Sequence, residues 1–287
     1  MRHFFPWALV LAFIGCGTAT TTTSNTDDAA SLVDATAADS GGTTDVSAPD
    51  AVTADTGPAD SGPVWVGGER KLSGAAYFFN ATGVGAIEQQ KDVTGATAYL
   101  LEFPDHTQAL GPDGAFTFSG LPEGGEFTVA VVHPDYFPSL SPIIAIGKED
   151  VKDVNFQVVT QLIAVYLGVL VGFDSNDPTQ CQMVVTVTAH GDSQNLWWAP
   201  GEPGATVTTE PALTAEHGPY YFNTSVVPDK SLTETTSDGG VLIAGATPGI
   251  YTWTAHKAGT TFTSQRLKCV GGWLTNGVPP FGLLADK

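Results

Sequence analysis

Basic side chains are scarce in this chain. Its 287 residues include 11 Lys and Arg against 30 Asp and Glu, a formal net charge of −19 at pH 7. Nucleic-acid binding is dominated by phosphate charge, so this acidity excludes a nucleic-acid partner. It equally disfavours docking on anionic lipid through a basic patch. Cysteine is scarce too, with only Cys16, Cys181 and Cys269, and no Cys-x-x-Cys redox pair occurs. Long apolar runs are missing. Leu162 to Phe173, apolar apart from Gly168 and Gly172, is too short to span a bilayer.

Catalytic signatures are absent as well. There is no His-Glu-x-x-His, no His-x-x-Glu of the carboxypeptidase kind, no Gly-x-Ser-x-Gly turn and no Gly-rich phosphate loop. His106, His133, His190, His217 and His256 are scattered, and the bland role of solvent-facing or loop histidine fits them better than ligation. Asp174, Asn176 and Asp177 make a small oxygen-rich loop. It lacks the ordered ligand series of calcium loops, so a turn satisfied by its own side chains is expected. No catalytic residue, metal site or cofactor is therefore expected. A dispersed hydrolytic site is the one enzymatic alternative, since triad members need not be neighbours in sequence.

What is present begins at the N-terminus. Arg2 and His3 precede an apolar stretch from Phe4 to Ile14, then Gly15-Cys16 and a polar tract. That order reads as an export signal, not as folded structure. It resembles bacterial lipoprotein signal peptides, with residues 1–15 as the signal and Cys16 as the acylated first residue. An ordinary secretory signal with Cys16 incidental is the alternative. Two or more acyl chains hold a protein on a membrane where one does not. Gly17, not aspartate, follows the cysteine. By resemblance to enterobacterial sorting signals, this implies an exported protein lipid-anchored to the cell envelope at the outer membrane.

Residues 16–62 are rich in Thr, Ala, Asp, Ser and Gly. They carry Asp27, Asp28, Asp34, Asp39, Asp45, Asp50, Asp55 and Asp60, with no Lys or Arg. Too little apolar area is available to offset the entropy of ordering, so a disordered, extended acidic tether is expected.

From Pro63 the pattern changes to short alternating runs punctuated by Gly, Pro, Asn and Asp. This is the pattern of an antiparallel sandwich or barrel. Phe127, Val129 and Val131 share one strand face, as do Val185 and Val187. Leu162 to Phe173 is expected as a buried strand that opens a second domain, because it is rich in β-branched residues. An internal repeat supports two domains. Asp113-Gly114, Gly120 and Gly124 recur as Asp238-Gly239, Gly245 and Gly249 at the same offsets, each copy followed by an alternating strand. Asp-Gly suits a tight turn, so a β-hairpin used twice is expected. The expected class is all-β, with two tandem β-sandwich domains of transthyretin-like or immunoglobulin-like kind at 63–160 and 161–287.

Within the first of these, Gly74, Gly95-Ala96, Asp113-Gly114, the segment Phe116 to Gly124, Phe127, Pro134-Asp135-Tyr136 and the closing Val154, Phe156 and Val158 resemble the carboxypeptidase regulatory-like domain. The insertion between Gly74 and Gly95 departs from that pattern, and the second domain matches only through Asp238 to Gly259. The resemblance implies a transthyretin-like packing, display or binding module with no catalytic residues.

With Cys16 acylated, Cys181 and Cys269 remain as a pair, and an exported context favours a disulfide between them. Trp197-Trp198 lies in a polar, Pro- and Gly-containing segment, Ser193 to Gly204. Exposed tryptophans stack on sugars or pack into partners, whereas buried ones cover a sandwich end. The reading is a non-enzymatic envelope lipoprotein displaying β-sandwich binding or scaffold modules. Its partners would be the membrane, through the anchor, and an envelope protein. The alternative is carbohydrate or peptidoglycan binding through Trp197 and Trp198.

Overall fold

Phe127, Val129 and Val131 turn into one core and Met183, Val185 and Val187 into another, as their alternation requires. A computed structural model describes residues 67–79, 93–191 and 199–286. The signal segment, Cys16, the tether, most of the insertion after Gly74, and Trp197 and Trp198 lie outside the described residues.

The strands of the first half are β1 (Arg70–Phe78), β2 (Thr97–Leu100), β3 (Phe103–Ala109), β4 (Ala115–Leu121), β5 (Glu126–Phe127), β6 (Val129–His133), β7 (Tyr136–Leu140), β8 (Ile144–Ala145) and β9 (Val151–Val158). A helix follows, α1 (Gln161–Val171). The second half holds β10 (Cys181–Thr188), β11 (Thr206–Glu210), a 3-10 turn at Ala215–His217, β12 (Tyr220–Phe222), β13 (Pro228–Asp229), β14 (Gly240–Ala246), β15 (Gly249–His256), β16 (Gln265–Cys269), β17 (Leu274–Gly277) and β18 (Leu283–Leu284). The chain is therefore all-β in class, with α1 as its single α-helix among the described residues.

Each half is a sandwich with its own core. Leu72, Phe116, Leu121, Phe156 and Val158 fill the first, and Met183, Trp253 and Leu267 the second. The halves repeat one topology. β1 pairs antiparallel with β4 and parallel with β9. β10 likewise pairs antiparallel with β14 and parallel with β17. The facing layers, β2–β6–β7 and β11–β15–β16, are antiparallel throughout.

The sequence repeat is a structural one. In both copies the aspartate accepts a hydrogen bond from the amide two residues on, Ala115 to Asp113 at 3.2 Å and Gly240 to Asp238 at 3.0 Å. Such Asx turns stand in for a backbone turn. Six residues after each Asp-Gly glycine, Gly120 and Gly245 take φ of 79° and 74°. Each is the extra residue where its strand's register shifts against the partner. Glycine holds this left-handed bulge without the Cβ penalty.

The expected hairpins need correction. β4 lies in the β4–β1–β9 sheet, β5 pairs with β8, and β6 lies in the facing sheet. β14 and β15 are divided between sheets in the same way. The Pro/Gly turns therefore arch the chain across the core. A strand that pairs on both edges with other partners, as β6 does with β2 and β7, leaves no edge for a return hairpin.

The expected strand at Leu162 to Phe173 is also corrected, to helix α1. Thr160 caps it, its hydroxyl accepting the Ile163 N–H at 3.2 Å, and Gly172 ends it at φ 79° with its amide on the Gly168 and Val169 carbonyls. A β-branched residue costs a helix only a few tenths of a kcal/mol. Ala164, Leu167, Gly168 and Val171 are buried at helical spacing. They cover the back of the central sheet, against Phe137, Val159 and Leu274 on one side and Phe222, Leu242 and Ala244 on the other. A side chain at position 168 would put its Cβ 2.3 Å from the Ser175 hydroxyl.

The two sandwiches are also fused. A single hydrogen-bonded path runs β13-β12-β14-β10-β17-β7-β6-β2-β3, so one sheet passes through both halves. Strand β17 makes the join, pairing in parallel with β10 on one edge and β7 on the other. Just beyond it, Val278 is buried in the first core.

Candidate functional site

Cys181 opens β10 and Cys269 closes β16, in opposite sheets of the second sandwich, and the two are joined by a disulfide. Both are buried in the second core. The bond is a staple between layers, away from solvent.

Two ion pairs cross the join. Lys268 Nζ donates to Glu102 Oε1 at 2.7 Å, and Glu102 Oε2 accepts the Thr128 amide at 2.9 Å. Arg266 pairs with Glu126 at 2.5 Å. Beside them the Ile143 amide donates to Arg266 O at 2.9 Å, and Gln265 Nε2 donates to Ile143 O at 3.2 Å. β16 is thereby clamped onto the first sandwich.

At the far end of the second sandwich, a recess of about 470 Å³ is lined by Thr254, His256, Lys257, Thr260, Thr261 and Phe262. It is open to solvent and carries no free titratable cluster. His256 Nε2 is 2.8 Å from Thr208 Oγ1. Lys257 is ion-paired with Glu202 and donates to Pro203 O. Glu202 ties this recess to the segment that bears the tryptophans. Its amide bonds Val187 O, and the neighbouring Gly201 bridges Thr188. Residues 199–202, which follow Trp197 and Trp198 in the sequence, are thus joined to the recess wall.

The scattered histidines do not converge. His133 stacks on Tyr136 at 4.6 Å and accepts the Asp135 amide, and His217 Nδ1 lies 3.1 Å from Ala244 O. Among the described residues no three His, Cys, Asp or Glu side chains gather to hold a metal. No helix among them is long and apolar enough to cross a membrane. Asp174 accepts from the Asn176 backbone and side chain, and Asp177 from the Thr179 amide and hydroxyl. The oxygen-rich loop is a turn satisfied by its own groups.

Among the described residues, three carboxyls are shifted. Burial lifts Asp238 above the ordinary carboxylate value, partly offset by the Gly240 amide it accepts. Hydrogen bonds from Thr179 lower Asp177, and those from Ser231 lower Asp229. The signs differ. Asp238 contributes most when protonated, below its unfolded value of about 3.9, and that contribution is lost as pH rises through its folded value. Asp177 and Asp229 contribute above the unfolded value and lose that contribution as pH falls through their folded ones. Asp238→Asn keeps an acceptor for Gly240 and removes the buried charge. It should raise the urea midpoint at neutral pH and leave it nearly unchanged at about pH 3. A lower midpoint at neutral pH would reject this account.

These features define paired all-β sandwiches, stapled in one half and clamped together by strand and charge. No family model and no curated protein matches the chain. Among solved structures it is similar to a type II cohesin–X-dockerin complex from Acetivibrio cellulolyticus, at 12% identity and a TM-score of 0.26, covering 38% of this chain and 66% of that one. It is also similar to GBS52, the minor pilin of Streptococcus agalactiae, at 11% identity and 0.24, covering 76% and 97%. A third, a streptococcal ancillary pilin, stands at 10% and 0.24, covering 76% and 69%. Likenesses this distant carry no information about what the chain binds.

Proposed function

We propose that this protein is a non-enzymatic, lipid-anchored envelope protein that presents two fused β-sandwiches as a binding or scaffold module. The observation that carries the reading is how the polar groups are used. Around the shallow recess and along the join, Lys257, Arg266 and Lys268 are engaged by Glu202, Glu126 and Glu102, and among the described residues no metal-holding cluster accompanies the Thr208–His256 contact. The disulfide suits an oxidising, exported setting. The N-terminal order ending at Cys16 supplies the anchor, by its resemblance to lipoprotein signals. Cell fractionation of Cys16→Ser is the test. The variant should leave the membrane fraction; retention there would remove the anchor from the reading.

A second reading, glycan binding through Trp197 and Trp198, is favoured by one observation: the residues that follow them in the sequence are tied through Glu202 to the recess beside Lys257. Indole rings stack on sugar faces where they reach solvent. Glycan-array binding should disappear in the Trp197→Ala, Trp198→Ala double variant. Unchanged binding would exclude these residues as the contact.

A further inference from the structure

Helix α1 is apolar on both faces. Its buried face covers the central sheet. Its outer face shows Leu162, Tyr166 and Val169, exposed by 77%, 52% and 66%. Their i, i+4, i+7 spacing makes one stripe. These are three of the four large apolar side chains exposed among the described residues. The helix has no acidic residue in its first turn and no basic one in its last. A helix that is hydrophobic all round is ordinarily covered, and a contiguous apolar patch marks an interaction site.

The alternative route to a partner, strand addition, is discouraged at the edges formed by β3, β4, β11, β13 and β16. On β4, the Thr117 amide and Ala115 carbonyl are taken by the Gln108 side chain, at 2.8 and 3.4 Å. On β11, the Val207 amide donates to Tyr221 Oη at 3.0 Å, and just before the strand the Ala205 amide donates to Thr235 Oγ1 at 2.9 Å. On β16, Arg266 O and Lys268 O accept from Ile143 and Thr275. Pro104 lies in edge strand β3, and β13 is two residues long and opens on Pro228. Proline and short strands discourage pairing at an edge.

Charge selects the occupant. Asp174 and Asp177 follow the helix directly, and Asp229 lies on β13, which packs against α1. Asp135 precedes Tyr136, which bridges to the helix cap Thr160. Against these four acids stands Lys230, whose ammonium lies 5.9 Å from the Tyr220 ring. A second copy would bring these acids toward like charges, and anionic lipid would be repelled likewise. The stripe exposes on the order of 300 Å², well below the roughly 800 Å² per partner of a stable dimer. We propose that the outer face of α1 docks an apolar helical segment of a partner protein flanked by Lys or Arg, its apolar side chains on Leu162, Tyr166 and Val169 and its cations on the aspartates at the two ends of the helix and on β13. This names the docking surface of the binding module argued above and rests on that reading, but not on the anchor.

The test uses the full chain carrying Cys16→Ser, kept free of detergent, and a fluorescent synthetic amphipathic helix of Leu and Lys. A Leu/Glu helix of the same pattern, phosphatidylcholine vesicles and sedimentation of the protein alone are the comparisons. The Leu/Lys helix should bind, more weakly as salt rises. Replacing the stripe by Leu162→Gln, Tyr166→Gln and Val169→Gln should weaken it at least about tenfold with the melting temperature kept. Asp174→Asn with Asp229→Asn should weaken it too and flatten the salt dependence. Equal binding by the stripe variant, or of the Leu/Glu helix, overturns the proposal. So does stripe-dependent self-association or vesicle binding in place of peptide binding. Should the stripe variant unfold, the aspartate pair decides: an unchanged salt dependence rejects the aspartate contacts. Failure here would leave the module without this surface, whereas Cys16→Ser fractionation tests the anchor separately.

Discussion

Replacing Cys181 and Cys269 together by alanine should lower the stability of the folded chain by about 4 to 5 kcal/mol in the chain-entropy account. The two cysteines are 88 residues apart in sequence, so their bond removes a large loop-closure entropy from the unfolded chain. They join the first residue of β10 to the last of β16, so the loss falls on the contact between the two layers of the second sandwich. Domains are stable by only about 5 to 15 kcal/mol, and the variant would therefore sit near the edge of folding. Urea unfolding of the wild type and the double variant measures the difference. A loss under about 1 kcal/mol would mean that the layers hold without the staple, against the entropic account. Because both sulfurs are buried, reductant added to the native protein should act slowly, through unfolding, not by direct attack.

The second large effect lies at β17. Thr275 is fully buried, pairs with Met183 on one side and Leu140 on the other, and donates its hydroxyl to Lys268 O at 2.6 Å. Proline there removes a ladder donor and places its ring in the middle of a sheet. Thr275→Pro should cost more than about 3 kcal/mol. Its character is more informative than its size. The wild type, although built on two cores, should melt in one cooperative transition, because β17 belongs to the hydrogen bonding of both halves. The variant should melt in two. Calorimetry distinguishes these outcomes, and two separate transitions already present in the wild type would show that the shared sheet does not couple the halves.

The coupling bears on the module reading. A binding module presents its surface best on a body that does not bend. Here the Lys268–Glu102 and Arg266–Glu126 pairs, the Ile143 contacts and β17 hold one sandwich to the other. Isolated surface pairs contribute little. Glu102, largely buried and also accepting the Thr128 amide, is the member whose loss would leave a partner unmatched.

Much of this was legible in the residues. Period-two alternation put Phe127, Val129, Val131, Val185 and Val187 inside. The repeated Asp-Gly and the glycine six positions later marked the same Asx turn and bulge twice, because each depends on a side chain reaching its own backbone and on a φ that only glycine holds easily. Two cysteines left as a pair found each other. The helix was missed because its outward face is as apolar as its inward one, which hides the spacing of Ala164, Leu167, Gly168 and Val171. The signal that could have found it was Thr160 before the run and Gly172 after it. The same apolar outer face is what marks α1 as a docking surface.

Strand, turn and bulge thus came from contacts within a few residues, where side-chain chemistry and backbone sterics are enough. Whether β6 would return beside β4 or cross to the facing layer, and whether β17 would close its own sandwich or also join the neighbouring one, was decided only on folding. Those choices depend on which faces bury against each other and which edges are already occupied, and backbone hydrogen bonds between distant strands carry no residue code to announce them.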